Sequence, residues 1–329
     1  MRAVVYTQLG PARDVLELKE LEKPQPAPGE VLVRVHLTGV NPSDVKLRGG
    51  ARPGMTDPEF PQVIPHSDGA GIIEAVGDGV PETRIGERVW LWNAAWRRAH
   101  GSAADYVALP QEQAVPLPED VSMETGAVLG IPGLTASHCV FGLGQVNGKT
   151  VLISGGSGTV GILAVQLAKW GGARVIATAS DDMAERVLQA GADTVLNYRA
   201  TDLAEQIMAA NNGQPVEHVV EVEAGLNIDM IAQVIAEGGT VAAYGSAQKR
   251  AFDLPFYTLL FKHVTMQFTL IYLLSYEDRI KAIMQLHAAL ADGALTVDVE
   301  QVLLPEQTAA AHEAVEAGHR KGAVLVSFA

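Results

Sequence analysis

A single cysteine, Cys139, is all that 329 residues provide, so no intrachain disulfide framework exists and a reducing compartment is the default setting. Basic side chains are also in short supply. Twenty-four Lys and Arg stand against 38 Asp and Glu, a net charge of −14, which leaves no electrostatic footprint for a nucleic-acid backbone or an anionic membrane. Long apolar runs are missing too. The most apolar segment, FTLIYLL at Phe268–Leu274, is far short of the ~20 residues that cross a bilayer, and its β-branched and aromatic content reads as a buried strand. The opening MRAVVYTQLG holds one Arg and no apolar stretch of signal length, so export is not expected and a cytoplasmic location is. No repeat or low-complexity tract interrupts the chain. No Ser-His-Asp order or paired-carboxylate arrangement stands beside the motifs below, which gives hydrolysis little support.

What is present is apolar and glycine-rich: 48% hydrophobic residues and 33 glycines. At roughly 150 residues per domain the length suggests two domains. The first ~120 residues read as strands and turns. In EVLVRVHLTGV, Val31, Val33 and Val35 alternate as in a sheet with one face on a core. From Met123 the texture becomes helix-compatible around a break at Ile131-Pro132. KTVLISGG, ARVIATAS, DTVLNY, EHVVEV and GTVAAYGS then read as strands, with helical patterns to Trp170, near Met183–Gln189 and near Leu203–Ala210 between the first of them. HVTMQFTLIYL continues the series, and the alternation indicates a parallel sheet covered on both faces. Beyond Ser275, helices at Glu277–Ala291 and Glu306–Glu316 and a strand at Ala323–Phe328 are too few for a third domain, and they are expected to return to the first.

The strongest chemical signal is LISGGSGTVGILAVQLAKW. Gly156, Gly158 and Gly161 form G-x-G-x-x-G between an apolar strand and a helix. One glycine permits the turn, another lets the backbone approach a diphosphate, and Gly161 seats the helix against the strand. Ser157, Thr159 and Val160 complete the turn, whose helix end offers free N–H groups to phosphate. The bland alternative is a glycine-rich turn that binds nothing. The residue at the tip of the next strand decides the coenzyme, since a carboxylate there grips the ribose hydroxyls of NAD and a hydroxyl accepts a 2′-phosphate. Ser180 is read as that residue, with Asp181 and Asp182 in the N-cap region of the following helix, so NADPH is expected.

Taken together, GVNPSDVKLRGG, IPHSDGAGIIEAVGDGV, GIPGLTA, the GGSGTVG turn and AGADTVLNYR span the chain, and the combination resembles the zinc-free quinone oxidoreductases of the medium-chain dehydrogenase/reductase superfamily, the zeta-crystallin-like group. The resemblance implies an α/β architecture: a GroES-like β-rich catalytic domain at 1–125 and 273–329, plus a Rossmann doubly wound parallel-sheet domain at 126–272. It implies a homodimer through the edge strand near Thr265–Tyr272. It places Asn41 and Thr135 near the nicotinamide, Tyr198 near the 2′-phosphate, and Gly245 and Ser246, after the fifth strand, among the cofactor-binding residues. Several positions depart from the common pattern. Met183 stands where a Lys is usual, Lys46 where a Tyr is frequent, and His66 where a small residue is usual and where it is expected to face the substrate cleft.

Zinc members of the superfamily hold their metal with cysteine and histidine, whereas the matching positions here are Asn41, Ser67 and Ile131 or Pro132. None is a zinc ligand, and no two of the nine histidines stand at the i, i+4 spacing of a helical site; no metal is expected. The resulting expectation is hydride transfer from NADPH to a quinone or α,β-unsaturated carbonyl compound. Asn41, Thr135 and Lys46 are the candidate catalytic residues, with Lys46 also readable as a solvated surface lysine. Trp90, Trp92 and Trp96 are candidates for an aromatic wall, with core packing the alternative for at least two of them. Glu221 and Glu223 follow a strand, and their alternation suggests that one turns toward the cofactor. An enoyl-thioester reductase and a nucleotide-binding structural protein, crystallin-like with little turnover, are the competing functions.

Overall fold

The computed structural model describes residues 1–51 and 54–329. It divides into two compact units, Met1–Ile131 with Val297–Ala329, and Pro132–Thr296.

The first unit is built on a seven-stranded sheet. Val299–Leu303, Ala323–Ser327, Glu30–Val40, Asp68–Val76, Arg88–Leu91 and Ala114–Pro116 lie in that order, and Tyr106–Pro110 also pairs with Glu30–Val40. Val31, Val33 and Val35 are buried with Val89, Leu91, Val107 and Leu109. Arg34 is exposed and His36 only partly buried, as alternation requires, but Leu32 is buried as well, so the strand is covered on both faces there. The chain end is integral to this unit: Ala323–Ser327 runs antiparallel to Glu30–Val40, pairing Val324 with Val40 and Ser327 with Leu37. Val324, Val326 and Phe328 share a core with Ala3–Val5, Ala311 and Val315.

The second unit holds a six-stranded sheet in the order Thr194–Asn197, Arg174–Ala179, Thr150–Ile153, Val216–Glu221, Ile235–Ala243, Thr265–Phe268. Every pairing is parallel. Numbered along the chain this is 3-2-1-4-5-6, the doubly wound order that reverses direction between its first and fourth strands and binds ligands outside the carboxyl ends at that point. Thr150–Ile153 is buried at every residue, as a central parallel strand covered on two faces must be.

Two expectations are corrected. Residues 273–296 belong to the second unit, not the first, because the helix Tyr276–Ala291 packs on Leu134–Phe141, where Ser137 Oγ donates to Ala282 O at 3.1 Å. Only the segment from Val297 returns. FTLIYLL is not a buried strand: the strand ends at Phe268, Ile271–Leu273 is a single 3₁₀ turn, and Phe268, Leu270 and Leu273 are exposed. Topology is the reason, since the sixth strand is the outermost and has no neighbour beyond it among the described residues. No helix among the described residues is long and apolar enough to cross a membrane.

Candidate cofactor site and the Asn41–Asp68 cluster

The glycine turn leaves the first parallel strand at Ser154 and enters the helix Thr159–Trp170. Its residues divide the labour by geometry. Gly155 has φ +65°, a conformation that favours glycine, and its N–H donates to Thr178 Oγ1 at 3.1 Å. Gly156 donates to Thr178 O at 2.8 Å, and a Cβ on it would lie 2.9 Å from Ala177 Cβ. At Gly161 a Cβ would lie 2.1 Å from Gly155 O, so only glycine lets the helix approach the turn this closely. Gly158 differs. It is exposed, and the nearest atom to a Cβ there is Gly155 O at 3.5 Å. Its backbone is open for a group to approach, and as N-cap of a twelve-residue helix it offers no side-chain cap to the first N–H groups. Ser157, Thr159 and Val160 are partly exposed around it. The strained position is Gly155, which the G-x-G-x-x-G spacing does not single out; the doubled glycine of LISGG was its signal.

The other expected cofactor residues of this unit lie at the carboxyl ends of neighbouring strands. Ser180 follows Arg174–Ala179 as the N-cap of the turn Asp181–Met183, and its hydroxyl makes no capping bond. Tyr198 follows Thr194–Asn197, half exposed, with its N–H donating to Ala179 O at 3.3 Å. Gly245 and Ser246 follow Ile235–Ala243. Ser246 is committed to its loop, accepting from Gly225 N at 2.9 Å and donating to Lys249 O at 2.6 Å. Thr135 is buried in the first turn of Leu134–Phe141, after a π-helical turn at Leu129–Gly133 that contains Pro132.

Glu221 and Glu223 both have structural employment. Glu221 is fully buried at the end of the fourth strand, where its Oε1 accepts from Ser154 Oγ at 3.0 Å and Asn227 Nδ2 at 2.9 Å, and burial raises its pKa. The Glu223 carboxylate accepts from the N–H groups of Ala247, Gln248 and Lys249 at 2.8–3.1 Å, tying down the loop that contains Ser246.

In the first unit, Asn41 caps the helix Pro42–Arg48 and is 5% exposed. Its backbone N–H donates to Asp44 Oδ2 at 2.8 Å, and its side-chain Nδ2 donates to Asp68 Oδ2 at 2.7 Å. Asp68 Oδ1 accepts from Ile131 N–H at 2.8 Å. Burial drives the pKa of Asp68 well above the usual carboxylate range, against those two hydrogen bonds, which lower it. Gly130 lies so close that a Cβ would fall 2.2 Å from Asp68 Oδ1. Asp68 was not singled out from sequence, although an acidic residue opening the otherwise apolar DGAGII is the signature of a buried polar group with a task. Lys46 is exposed on the same helix.

His66 does not face a cleft. It is fully buried with φ +73°, its Nδ1 3.2 Å from Thr38 Oγ1 and its Nε2 2.9 Å from His312 Nε2. Burial pulls His66 down to about 3 and lowers His312 as well, so both imidazoles are neutral. Trp90 is a core residue, fully buried, and is removed from the proposed aromatic wall. Trp92 and Trp96 are partly exposed, and Trp92 Nε1 donates to Glu112 O at 3.1 Å.

Comparison with known proteins agrees with this architecture. The family described as "Alcohol dehydrogenase GroES-like domain" matches residues 27–119, and the one described as "Zinc-binding dehydrogenase" matches residues 159–289. The quinone oxidoreductase of Rattus norvegicus is 33% identical over 248 residues, 74% of this chain and 73% of that protein. The crystal structure of an NAD-dependent alcohol dehydrogenase superposes with a TM-score of 0.88 at 30% identity over 100% of both chains. A mycobacterial protein complexed with NADPH gives 0.86 at 28% identity, over 99% of this chain and 100% of its own. A GroES-like unit joined to a Rossmann unit with this turn defines an oxidoreductase of the two-domain dehydrogenase class. The chain belongs to the medium-chain dehydrogenase/reductase superfamily, in its zeta-crystallin-like quinone oxidoreductase group. At the positions expected from the resemblance to correspond to zinc ligands it carries Asn41, Ser67 and Ile131-Pro132. Among the described residues, no three His, Cys, Asp or Glu side chains are grouped to hold a metal ion.

Proposed function

We propose that this protein is an NADPH-dependent reductase that transfers hydride to a quinone or an α,β-unsaturated carbonyl compound without a metal. The observation that carries the reading is the glycine turn, where Gly161 is closed by backbone contact and Gly158 is open, on the sheet order that binds dinucleotides. Residues Gly156 to Gly161 would hold the diphosphate, Ser180 and Tyr198 the adenosine side, and Thr135, Gly245 and Ser246 the nicotinamide side. When bound, the coenzyme supplies the hydride.

The residues of the chain supply orientation and hydrogen bonds. The Asn41 amide has two N–H groups, of which Asp68 takes one; the other is suited to donate to a ribose hydroxyl or to the oxygen on which charge develops during transfer. Asp68 acts through Asn41 and is a positioning residue. The metal-free reading rests on donor chemistry, since an amide and a hydroxyl replace the thiolate and imidazole that zinc requires. Lys46, being exposed, is given no role in the chemistry.

The protein is further proposed to be a homodimer, in which the open edge Thr265–Phe268 of one protomer pairs with that of its partner. Phe261 and Phe268, 80% and 70% exposed in the single chain, lie in the edge helix and edge strand, and an uncovered apolar edge of this kind demands a partner.

Steady-state consumption of NADPH with 1,4-benzoquinone, an alkenal and an enoyl-CoA tests the function. Turnover with either of the first two supports the proposal. Turnover confined to the enoyl-CoA assigns an enoyl-thioester reductase, and tight coenzyme binding with no turnover on any acceptor assigns the nucleotide-binding structural reading.

A further inference from the structure

The carboxyl ends of the first three parallel strands are stitched into one ledge. Gly155 and Gly156 donate to Thr178, and Tyr198 N–H donates to Ala179 O, so Ser157, Ser180 and Tyr198 stand around the end of a single strand. In an open α/β sheet this is where the adenosine ribose lies. A 2′-phosphate placed there is a doubly charged group and needs cationic donors. The chain immediately after Ser180 is unhelpful: Asp181 and Asp182 are exposed acids, and Met183 is buried and apolar.

Two arginines reach the ledge from elsewhere. Arg186, on the helix Ala184–Gln189, donates from Nη1 to Ser157 O at 2.7 Å, which sets its guanidinium against the glycine turn itself. Arg199 has its Cζ 4.7 Å from the centroid of the Tyr198 ring, which holds the second guanidinium at the end of the third strand. A guanidinium is a planar fork of five N–H donors matched to phosphate oxygens.

We infer that Arg186 and Arg199 bind the coenzyme's 2′-phosphate and set the preference for NADPH over NADH, Arg186 from the side of the glycine turn and Arg199 from the side of the third strand. The inference rests on the NADPH reading of the site. It assigns to these two residues the charge that Met183 cannot supply, and it makes Asp181 and Asp182 the groups they must outweigh.

The test is calorimetric titration of the full-length protein with adenosine 2′,5′-bisphosphate and with adenosine 5′-monophosphate, which differ only in the group at issue. The wild type is expected to bind the bisphosphate more tightly. Arg186→Gln and Arg199→Gln are each expected to cut that preference about ten- to a hundredfold, the range for a charge-assisted hydrogen bond, while in Arg199→Gln the affinity for the monophosphate stays unchanged. Constant monophosphate affinity shows that the turn is intact, and Arg199, being exposed, is the variant least able to disturb the fold. Either variant that keeps the wild-type preference overturns the assignment of its residue. A wild type that prefers neither ligand overturns the NADPH reading itself, and the inference with it.

Discussion

Replacing Gly158 and Gly161 by alanine, one at a time, separates what the turn does for the fold from what it does for a ligand. At Gly161 the added Cβ would sit 2.1 Å from Gly155 O and 2.9 Å from Gly155 C and Gly156 Cα. All three are backbone atoms of one turn, so no side chain can swing away. The helix must back off by about 1 Å to restore ordinary contact, an overpacking cost of roughly 1–3 kcal/mol, or about 3–10 °C in Tm for a unit of this size. At Gly158 the backbone has φ −70° and ψ 164°, open to any residue, and the added Cβ meets nothing closer than 3.5 Å. The entropy gained by restricting the unfolded chain and the slightly poorer N-cap nearly cancel, leaving the ligand-free protein within about 0.5 kcal/mol of wild type. The methyl group nevertheless fills the space through which a diphosphate must approach, and the affinity for NADPH should fall at least about tenfold. Thermal melting without ligand and calorimetry with NADPH read the two effects apart. Gly158→Ala that binds NADPH like wild type, or Gly161→Ala that melts like it, refutes the reasoning.

Three further outcomes are expected. Asp68→Ala strands the Asn41 amide and the Ile131 N–H without their acceptor; kcat/KM should drop by about tenfold or more and stability by roughly 1–3 kcal/mol, and unchanged kinetics in a folded variant would remove Asp68 from the site. His66 and His312 are held neutral by burial, so below pH about 6.5 the unfolded chain takes up protons that the native state refuses, at His66 until about 3. Stability is therefore fully present above that range and drains through it as the pH falls, at up to about 1.4 kcal/mol per pH unit for each histidine. Urea unfolding at about pH 7 and about pH 5 should show a smaller difference in His66→Asn, whose side chain tolerates the positive φ, and an equal difference contradicts the reading. Phe268→Glu should convert a dimer to a monomer in sedimentation velocity, and a monomeric wild type removes the proposed interface.

The parallel sheet was legible because its signals are local. Strands such as Thr150–Ile153 and Arg174–Ala179 read as largely apolar runs near glycine turns, and Leu203–Ala210 lies where its pattern put it. Position within the sheet was not legible from composition. FTLIYLL carries the residues of an interior strand, and only the strand order places Phe268 at an edge. The helix Tyr276–Ala291 was misassigned for a related reason: periodicity shows that a helix has an apolar face, not which unit covers it, and Leu134–Phe141 does so here. The site divides in the same way. Gly161 and Gly158 follow from spacing, whereas the Asp68–Asn41 and His66–His312 contacts join residues 27 and 246 positions apart, and no local pattern encodes them.

Calorimetric titration of the wild-type protein with NADPH tests the central claim most directly. A saturable heat corresponding to one site per chain, with weaker binding of NADH, is the predicted result. No heat with either reduced coenzyme would leave the open backbone at Gly158 without a ligand and the proposed reaction without a hydride donor.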